Sequence, residues 1–116
     1  MDSVTERLEQ EIQLMHAHIC EGLADPKRVL ILYLLGSRPL NVTELTTALD
    51  VPQSTVSHHL KVLRDRGLVL TEREGTAVYY SLADERIIEA LDIMRAIVAD
   101  IVAERARLMA GVLSDE

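Results

Sequence analysis

The chain contains no phenylalanine or tryptophan, and three tyrosines are its only residues of the Phe, Trp and Tyr class. Its core must therefore be aliphatic, which a hydrophobic content of 48% in 116 residues allows. A single domain of this length buries limited apolar surface, so dimerisation would help to stabilise it. Cys20 is the only cysteine. An intrachain disulfide is therefore excluded, in agreement with a reducing compartment.

Long apolar runs are also missing. No stretch of about 18 apolar residues could cross a bilayer, and residues 1–6 are acidic, unlike the basic start of a signal peptide. We therefore expect a cytoplasmic protein without membrane contact. The sequence has no glycine-rich phosphate loop, no nucleophile elbow and no catalytic pair around Cys20. It predicts no enzyme and no cofactor.

Positive charge is scarce, and the net charge is −7. The acid lies at the two ends, because residues 1–24 and 83–116 each sum to −4, whereas residues 25–52 are neutral and residues 53–82 carry +1. Phosphate binding needs local basic surface rather than a basic chain, so the negative net charge does not exclude a nucleic-acid partner, and any such affinity should be modest and salt-sensitive. The cations of the least acidic segment are Lys61, Arg64, Arg66 and Arg73.

Residues 41–66 predict two short helices joined by a tight turn. Asn41 followed by Glu44 has the spacing of a capping box at the start of the first helix. In the second helix, apolar residues fall on one side and polar residues on the other, and Gly67 suits a left-handed C-terminal cap. This is the spacing of a helix-turn-helix, whose second helix can enter the major groove of DNA. The apolar side is Val56, Leu60 and Leu63, and the polar side is Ser54, His58, Lys61 and Asp65.

The remaining segments predict three further helices and a hairpin. Apolar residues at steps of three and four indicate helices at 4–22 and 84–112, the second capped by Asp84. Asp25 as N-cap and Pro26 at the first turn begin a helix to about Leu35 that is apolar nearly all round. Residues 68–82 predict a β-hairpin wing that turns at Glu74-Gly75. Its alternating apolar residues are Leu68, Leu70, Val78, Tyr80 and Leu82.

The long last helix carries more apolar surface than a small domain needs. We therefore expect it to pair with a second subunit, with the first helix joining the contact. The alternative is that both end helices fold back on their own domain.

Several segments resemble the ArsR/SmtB family of winged-helix repressors, over roughly residues 20–82. They are Asp25-Pro26-Lys27-Arg28, Gln53-Ser54-Thr55-Val56-Ser57-His58-His59-Leu60-Lys61-Val62-Leu63, Gly67-Leu68-Val69 and Val78-Tyr79-Tyr80-Ser81-Leu82. The resemblance implies a mainly α winged helix-turn-helix with a β-hairpin wing, as one domain over residues 1–116 that dimerises through its N- and C-terminal helices (1–24 and 84–112). It further implies a homodimeric repressor that binds a pseudo-palindromic double-stranded DNA operator and leaves it on an unidentified signal.

Short polar side chains on the second helix can reach base edges, and its cations can reach phosphate. His59 lies only about 60° from the centre of the apolar side of this helix. We therefore expect its ring to be partly packed and do not count it among the DNA-binding residues. In the wing, Thr76 stands where many relatives carry a second basic residue, which leaves wing contact open. The predicted DNA-binding residues are Gln53, Ser54, Thr55, Ser57, His58, Lys61, Arg64 and Arg73.

His16-Ala17-His18-Ile19-Cys20 is a poor metal box on an α-helix. His16 and Cys20 share a flank, but His18 projects about 160° away, so two ligands converge where tetrahedral zinc needs four. Three alternatives stay open: a site completed across the dimer, a partly buried structural Cys20, and a thiol sensor made reactive by His16.

The two sensing sites implied by the family resemblance are absent. Residues 43–50 contain no cysteine pair, and no histidine follows His59 in the last helix. If Asp92 began the family's zinc site, the other ligand positions would hold Met94, Arg105 and Leu108. The sequence therefore predicts no metal site and leaves the inducer unknown, with Cys20 and His16 as the possible sensor. A rival hypothesis is a winged-helix protein-interaction module that docks a partner through its acidic end helices and has lost DNA affinity.

Overall fold

A computed structural model describes residues 3–114 of the chain. Within that range the helices are α1 (Ser3–Met15), a π-helical turn (His16–Cys20), α2 (Pro26–Leu35), α3 (Val42–Leu49), α4 (Gln53–Asp65) and α5 (Arg86–Ser114). The strands are β1 (Leu40–Asn41), β2 (Val69–Glu74) and β3 (Ala77–Leu82). No described helix is both long enough and apolar enough to span a bilayer.

The chain divides into two compact units, Met1–Glu85 and Arg86–Glu116. The first contains the helix-turn-helix and the sheet, and the second is α5. The single domain expected over residues 1–116 stays a prediction, and its residues 1, 2, 115 and 116 lie outside the described range.

The core of the first unit is aliphatic, as expected from the missing aromatics. Its fully buried side chains come from α2, α3, α4 and β2. The helix predicted to be apolar nearly all round, α2, supplies Ile31, Leu32 and Leu35 to this core, whereas its Leu30 is 48% exposed. A single helix packed on its neighbours leaves one side to solvent even when the residue there is leucine. The fully buried side chains are Ile31, Leu32, Leu45, Val56, Leu60, Leu63 and Val69.

Local capping sets the ends of the helices. Asp25 accepts a hydrogen bond from the Lys27 backbone N–H at 2.8 Å, with Pro26 in the first turn of α2. Asn41 and Glu44 form the expected capping box of α3, with bonds of 2.8 and 3.1 Å. These contacts satisfy backbone donors that a helix leaves unpaired at its start.

The turn within the helix-turn-helix and the end of α4 also follow the sequence. Asp50 ends α3 in the left-handed region at φ 53°, and Gly67 follows α4 at φ 79°. The Leu68 N–H then bonds back to the Leu63 carbonyl at 2.9 Å, which is the closure of a Schellman cap.

The sheet is three-stranded and antiparallel in the order β1-β3-β2, so the predicted hairpin gains a strand, β1, that was not predicted. Two residues, Leu40 and Asn41, form that strand, which is too short to show a period-two pattern. Gly75 turns the hairpin at φ 62°, as expected.

The predicted alternation of Leu68 and Leu70 is wrong at Leu70. Leu68 is buried but lies before β2, and within the strand Val69 is buried and pairs with Leu82, so Leu70 falls on the opposite face and is 56% exposed. The Schellman cap uses Leu68 to close the end of α4, which shifts the strand by one residue, and a shift of one exchanges the two faces of a strand.

The end helices differ in detail from the expectation. The predicted helix 4–22 is α-helical only to Met15 and continues as the π turn, in which the Glu21 N–H bonds to the His16 carbonyl at 3.1 Å. The last helix begins at Arg86, two residues after Asp84, and ends at Ser114. Large apolar side chains remain exposed on both α1 and α5.

Candidate nucleic-acid interface

The polar residues predicted to bind DNA lie on the exposed side of α4. Six of the predicted residues in this helix are exposed, whereas the seventh, Thr55, is half-buried. The opposite side holds Val56, Leu60 and Leu63, which are fully buried and anchor the helix. The exposed set is Gln53, Ser54, Ser57, His58, Lys61 and Arg64.

Arg73 is exposed on β2, opposite Val78 and next to the last pair of the hairpin, Glu74 with Ala77. It is therefore near the tip of the wing, between Glu72 and Glu74 in sequence. Of the residues described, no carboxylate lies within 4.0 Å of Arg64 or Arg73. Both cations are available to an external anion.

Lys61 is engaged with Asp65 one turn later in α4. Its Nζ donates to Asp65 Oδ2 at 2.7 Å, and both side chains are exposed. The hydrogen bond from Lys61 lowers the pKa of Asp65, so this acid is ionised at neutral pH. A DNA phosphate at Lys61 must therefore compete with an existing carboxylate partner.

Arg66 does not join the exposed cations, although its sequence position suggested a cluster. Its Nη1 donates to the Ala17 carbonyl at 2.5 Å, and its Nη2 lies 2.6 Å from Glu21 Oε2. The guanidinium thus faces the segment that follows α1. The sequence carries no local signal of this role, because Arg66 and Ala17 are separated by more than forty residues.

The adjacent histidines of α4 have different environments. Their ring centroids are 5.8 Å apart, yet His58 is exposed and His59 is 5% exposed, which confirms the expected packing of His59. Arg28 Nη1 donates to His59 Nδ1 at 3.2 Å, and His59 Nε2 lies 3.9 Å from Asp25 Oδ2. Because Arg28 can only donate, Nδ1 is the acceptor and the ring is the neutral Nε2–H tautomer.

Burial lowers the pKa of His59, the Asp25 carboxylate opposes this shift, and the Arg28 guanidinium adds to it. Arg28 also donates from Nε to the Gly22 carbonyl at 2.8 Å and from Nη2 to the Glu21 carbonyl at 3.2 Å. In the sequence, this cluster is indicated by His59, which lies beside the apolar stripe of α4, since a buried ring nitrogen needs a polar partner.

The possible sensor residues lie on the π turn. Cys20 is exposed in the single chain, and His16 Nδ1 lies 3.9 Å from Glu21 Oε1. The angular argument for a shared His16 and Cys20 flank assumed an α-helix and does not apply to a π turn. His18 Nδ1 donates to the Arg66 carbonyl at 3.3 Å. Between residues 3 and 114, no three or more His, Cys, Asp or Glu side chains group closely enough to hold a metal ion.

Comparison with known proteins agrees with this arrangement. The sequence profile of the bacterial regulatory proteins of the arsR family matches residues 25–71. The chain is 41% identical over 85 residues to the HTH-type transcriptional regulator NmtR of Mycobacterium tuberculosis, which covers 73% of this chain and 71% of the relative.

Solved structures show the same fold. The crystal structure of M. tuberculosis Rv0081 aligns with a TM-score of 0.71 at 30% identity, over 91% of this chain and 99% of that one. The homodimeric winged helix-turn-helix DNA-binding domain Mb0332 of Mycobacterium bovis, described as a possible ArsR-family transcriptional regulator, aligns with a TM-score of 0.69 at 25% identity. That alignment covers 88% of this chain and 91% of the M. bovis domain.

Proposed function

This chain belongs to the ArsR/SmtB family of DNA-binding transcriptional regulators, and we propose that it represses transcription by placing α4 in the major groove of an operator. The observation that carries the proposal is the division of α4 into two sides. One side is fully buried, and the other presents short polar side chains to solvent. A helix held by its buried side can present its other side to base edges without reorganising.

Within that face, we assign base reading to Ser54, Thr55, Ser57 and His58, together with Gln53 at the start of the helix. Lys61, Arg64 and Arg73 contact phosphate. Base contacts supply sequence preference, whereas phosphate contacts supply affinity for any DNA. The scarcity of free cations predicts weak binding to random DNA, with a salt dependence set by the few phosphates that these cations contact.

The repressor acts as a homodimer in this proposal, as does its M. bovis relative. The exposed apolar residues of α1 and α5 supply the contact between subunits. Two-fold symmetry would then demand a pseudo-palindromic operator with half-sites about one helical turn apart. We place the protein in the cytoplasm with its DNA and give it no catalytic role.

Binding of variants to DNA tests the assignment. Ser57→Ala or His58→Ala is expected to cost about 1–3 kcal/mol on the operator and little on random DNA. Lys61→Ala is expected to weaken binding to all sequences and to reduce the salt slope by about one unit. A mobility-shift titration at several salt concentrations measures both. If both classes of variant bind like the wild type, the assigned face is wrong.

The signal that releases the repressor is a separate part of the proposal. Cys20 is the only thiol, and it is exposed on the π turn next to Glu21. Modification of this thiol would add bulk or charge beside the segment that Arg66 holds. Cys20→Ser is expected to bind the operator normally yet to resist thiol oxidants, persulfides and soft metals that release the wild type. Equal release of both proteins would make Cys20 structural.

A further inference from the structure

We propose that Glu21 and Arg66 form a latch that holds α4 in its DNA-binding position, so that the segment after α1 controls operator affinity. Both are positioning residues, because they act on the α4 side chains that face DNA and do not contact DNA themselves. This inference rests on the proposed DNA-binding role of α4.

The latch consists of three contacts at one end of the recognition helix. Arg66 caps the C-terminus of α4, and its guanidinium bridges the Ala17 carbonyl at 2.5 Å and the Glu21 carboxylate at 2.6 Å. In return, the Arg66 carbonyl accepts a hydrogen bond from His18 at 3.3 Å. Side chain and backbone of a single cap residue are thus both tied to residues 17–21. A rotation of α4 about its own axis would break these contacts.

Arg28 also binds this segment. It donates to the Glu21 and Gly22 carbonyls, and its third contact is the buried His59 in the middle of α4. Gly22 is also packed tightly, because a Cβ there would lie 2.6 Å from Leu68 Cδ1. Glu21 therefore binds two arginines: its backbone carbonyl accepts from Arg28, and its carboxylate pairs with Arg66.

The position and the strength of the Glu21–Arg66 contact suit a contact that opens and closes during regulation better than one that only stabilises the fold. Glu21 follows the π turn that continues α1, the helix whose exposed apolar stripe we assign to the subunit interface. The ion pair is partly exposed, at 35% for Arg66 and 47% for Glu21. Such a pair is weaker than buried packing and sensitive to salt, so a shift of α1 could open it without unfolding the core.

A different role for Arg66 makes the opposite prediction. If Glu21 only withheld Arg66 from DNA, removing the carboxylate would release a cation to phosphate, and binding to every sequence would strengthen. If Glu21 positions α4, the same change weakens operator binding and affects random DNA little. The sign of the effect therefore separates the two roles.

The test uses the full-length protein with Glu21→Ala and, as a matched control, Glu9→Ala, which removes an equal charge from an exposed site on α1. Operator and random DNA are titrated side by side, and the oligomeric state and thermal midpoint are recorded. We expect Glu21→Ala to lose about fivefold or more in operator affinity relative to Glu9→Ala. The loss on random DNA is expected to be less than about twofold. Hydrogen exchange should quicken at the last-turn amides of α4.

Tighter binding by Glu21→Ala, or binding equal to that of Glu9→Ala, would overturn the latch. The charge-neutral Glu21→Gln keeps an acceptor for Arg66 and should give a smaller loss; it also serves as the test if Glu21→Ala does not fold. The two proposals can be rejected separately. Normal operator binding by Ser57→Ala and His58→Ala would reject the DNA-binding face assigned to α4. Equal operator affinity of Glu21→Ala and Glu9→Ala would reject the latch and leave that face untouched.

Discussion

Helices α4 and α5 both carry apolar stripes, but only α4 buries its stripe within the chain. Val56, Leu60 and Leu63 of α4 are 0% exposed. In α5, Val98 is 56% exposed and Val112 is 64% exposed, and Leu91 is the only buried residue within Arg86–Ser114. An exposed stripe of this length indicates a surface that another chain covers. The same periodicity therefore forms a core in one helix and leaves an exposed apolar surface in the other, which we propose as the contact between subunits.

The largest effect is expected where a charge enters the α5 stripe. Val98→Glu or Ile101→Glu should give monomers or insoluble protein, because an unpaired carboxylate in an aliphatic contact costs several kcal/mol. Ala103→Glu, about half a turn away from Ile101, should stay dimeric. Analytical ultracentrifugation decides the matter. A folded dimer of Val98→Glu that binds DNA would refute the assignment of α5 to the interface.

The matching change in α4 should act on folding instead. Leu60→Ala removes a fully buried side chain and is expected to lower the free energy of unfolding by about 2–5 kcal/mol. Denaturant titration at one fixed protein concentration measures this, since assembly also contributes to stability. Leu30→Ala, at an exposed site of α2, is the control and should cost far less. Equal losses for the two would contradict the core described above.

The buried polar cluster predicts a loss of stability in mild acid. Burial places the pKa of His59 below its ordinary 6.5 in the folded protein, so the folded state binds fewer protons than the unfolded state in this range. The stability gained is fully present above about pH 6.5 and is lost as the pH falls from there through the lower folded pKa. The Asp25 pKa is lowered below 3.8, chiefly by the Lys27 N–H, so its contribution is lost only in stronger acid.

Thermal unfolding from about pH 7.5 to about pH 5 checks this sign. The wild type should lose stability steadily, whereas His59→Gln should start lower and change less with pH. A His58→Gln variant, altered at the exposed neighbour, should keep the wild-type slope. Parallel curves for wild type and His59→Gln would assign the acid response to other groups.

The smallest effect is expected at Asp65. Asp65→Asn removes the carboxylate partner of Lys61, so binding to any DNA should tighten by about twofold to fivefold at low salt. In a Lys61→Ala background the gain should shrink, because Asp65 then has no lysine to release. A gain of equal size with and without Lys61 would mean that Asp65 acts only through general charge repulsion.

Much of the fold could be predicted from local rules. The caps at Asp25 and Asn41, the glycines at 67 and 75, and the apolar side of α4 all lie where the sequence indicated. Each depends on side-chain and backbone contacts within a few residues. The errors occurred where distant segments meet, as in the two-residue β1, which pairs with Tyr79 and Tyr80 of β3.

The residues that face DNA were chosen from one helix, and their exposure required only its period. The partners behind that helix were not predictable in this way. Arg28 and Arg66 looked like ordinary surface cations in the sequence, yet both turn inward to residues 17–22. Nothing in their local spacing distinguishes them from Arg64, which stays exposed.

Propensity, capping and periodicity act over a few neighbouring residues, so the helices, their caps, the wing turn and the polar side of α4 follow from the order of amino acids. Contacts between distant segments set the partners of Arg66, Glu21, Arg28 and His59, the position of Leu70 and the third strand. Those outcomes depend on which distant segments meet, because a polar group enclosed at such a contact is stabilised when it finds a partner across it.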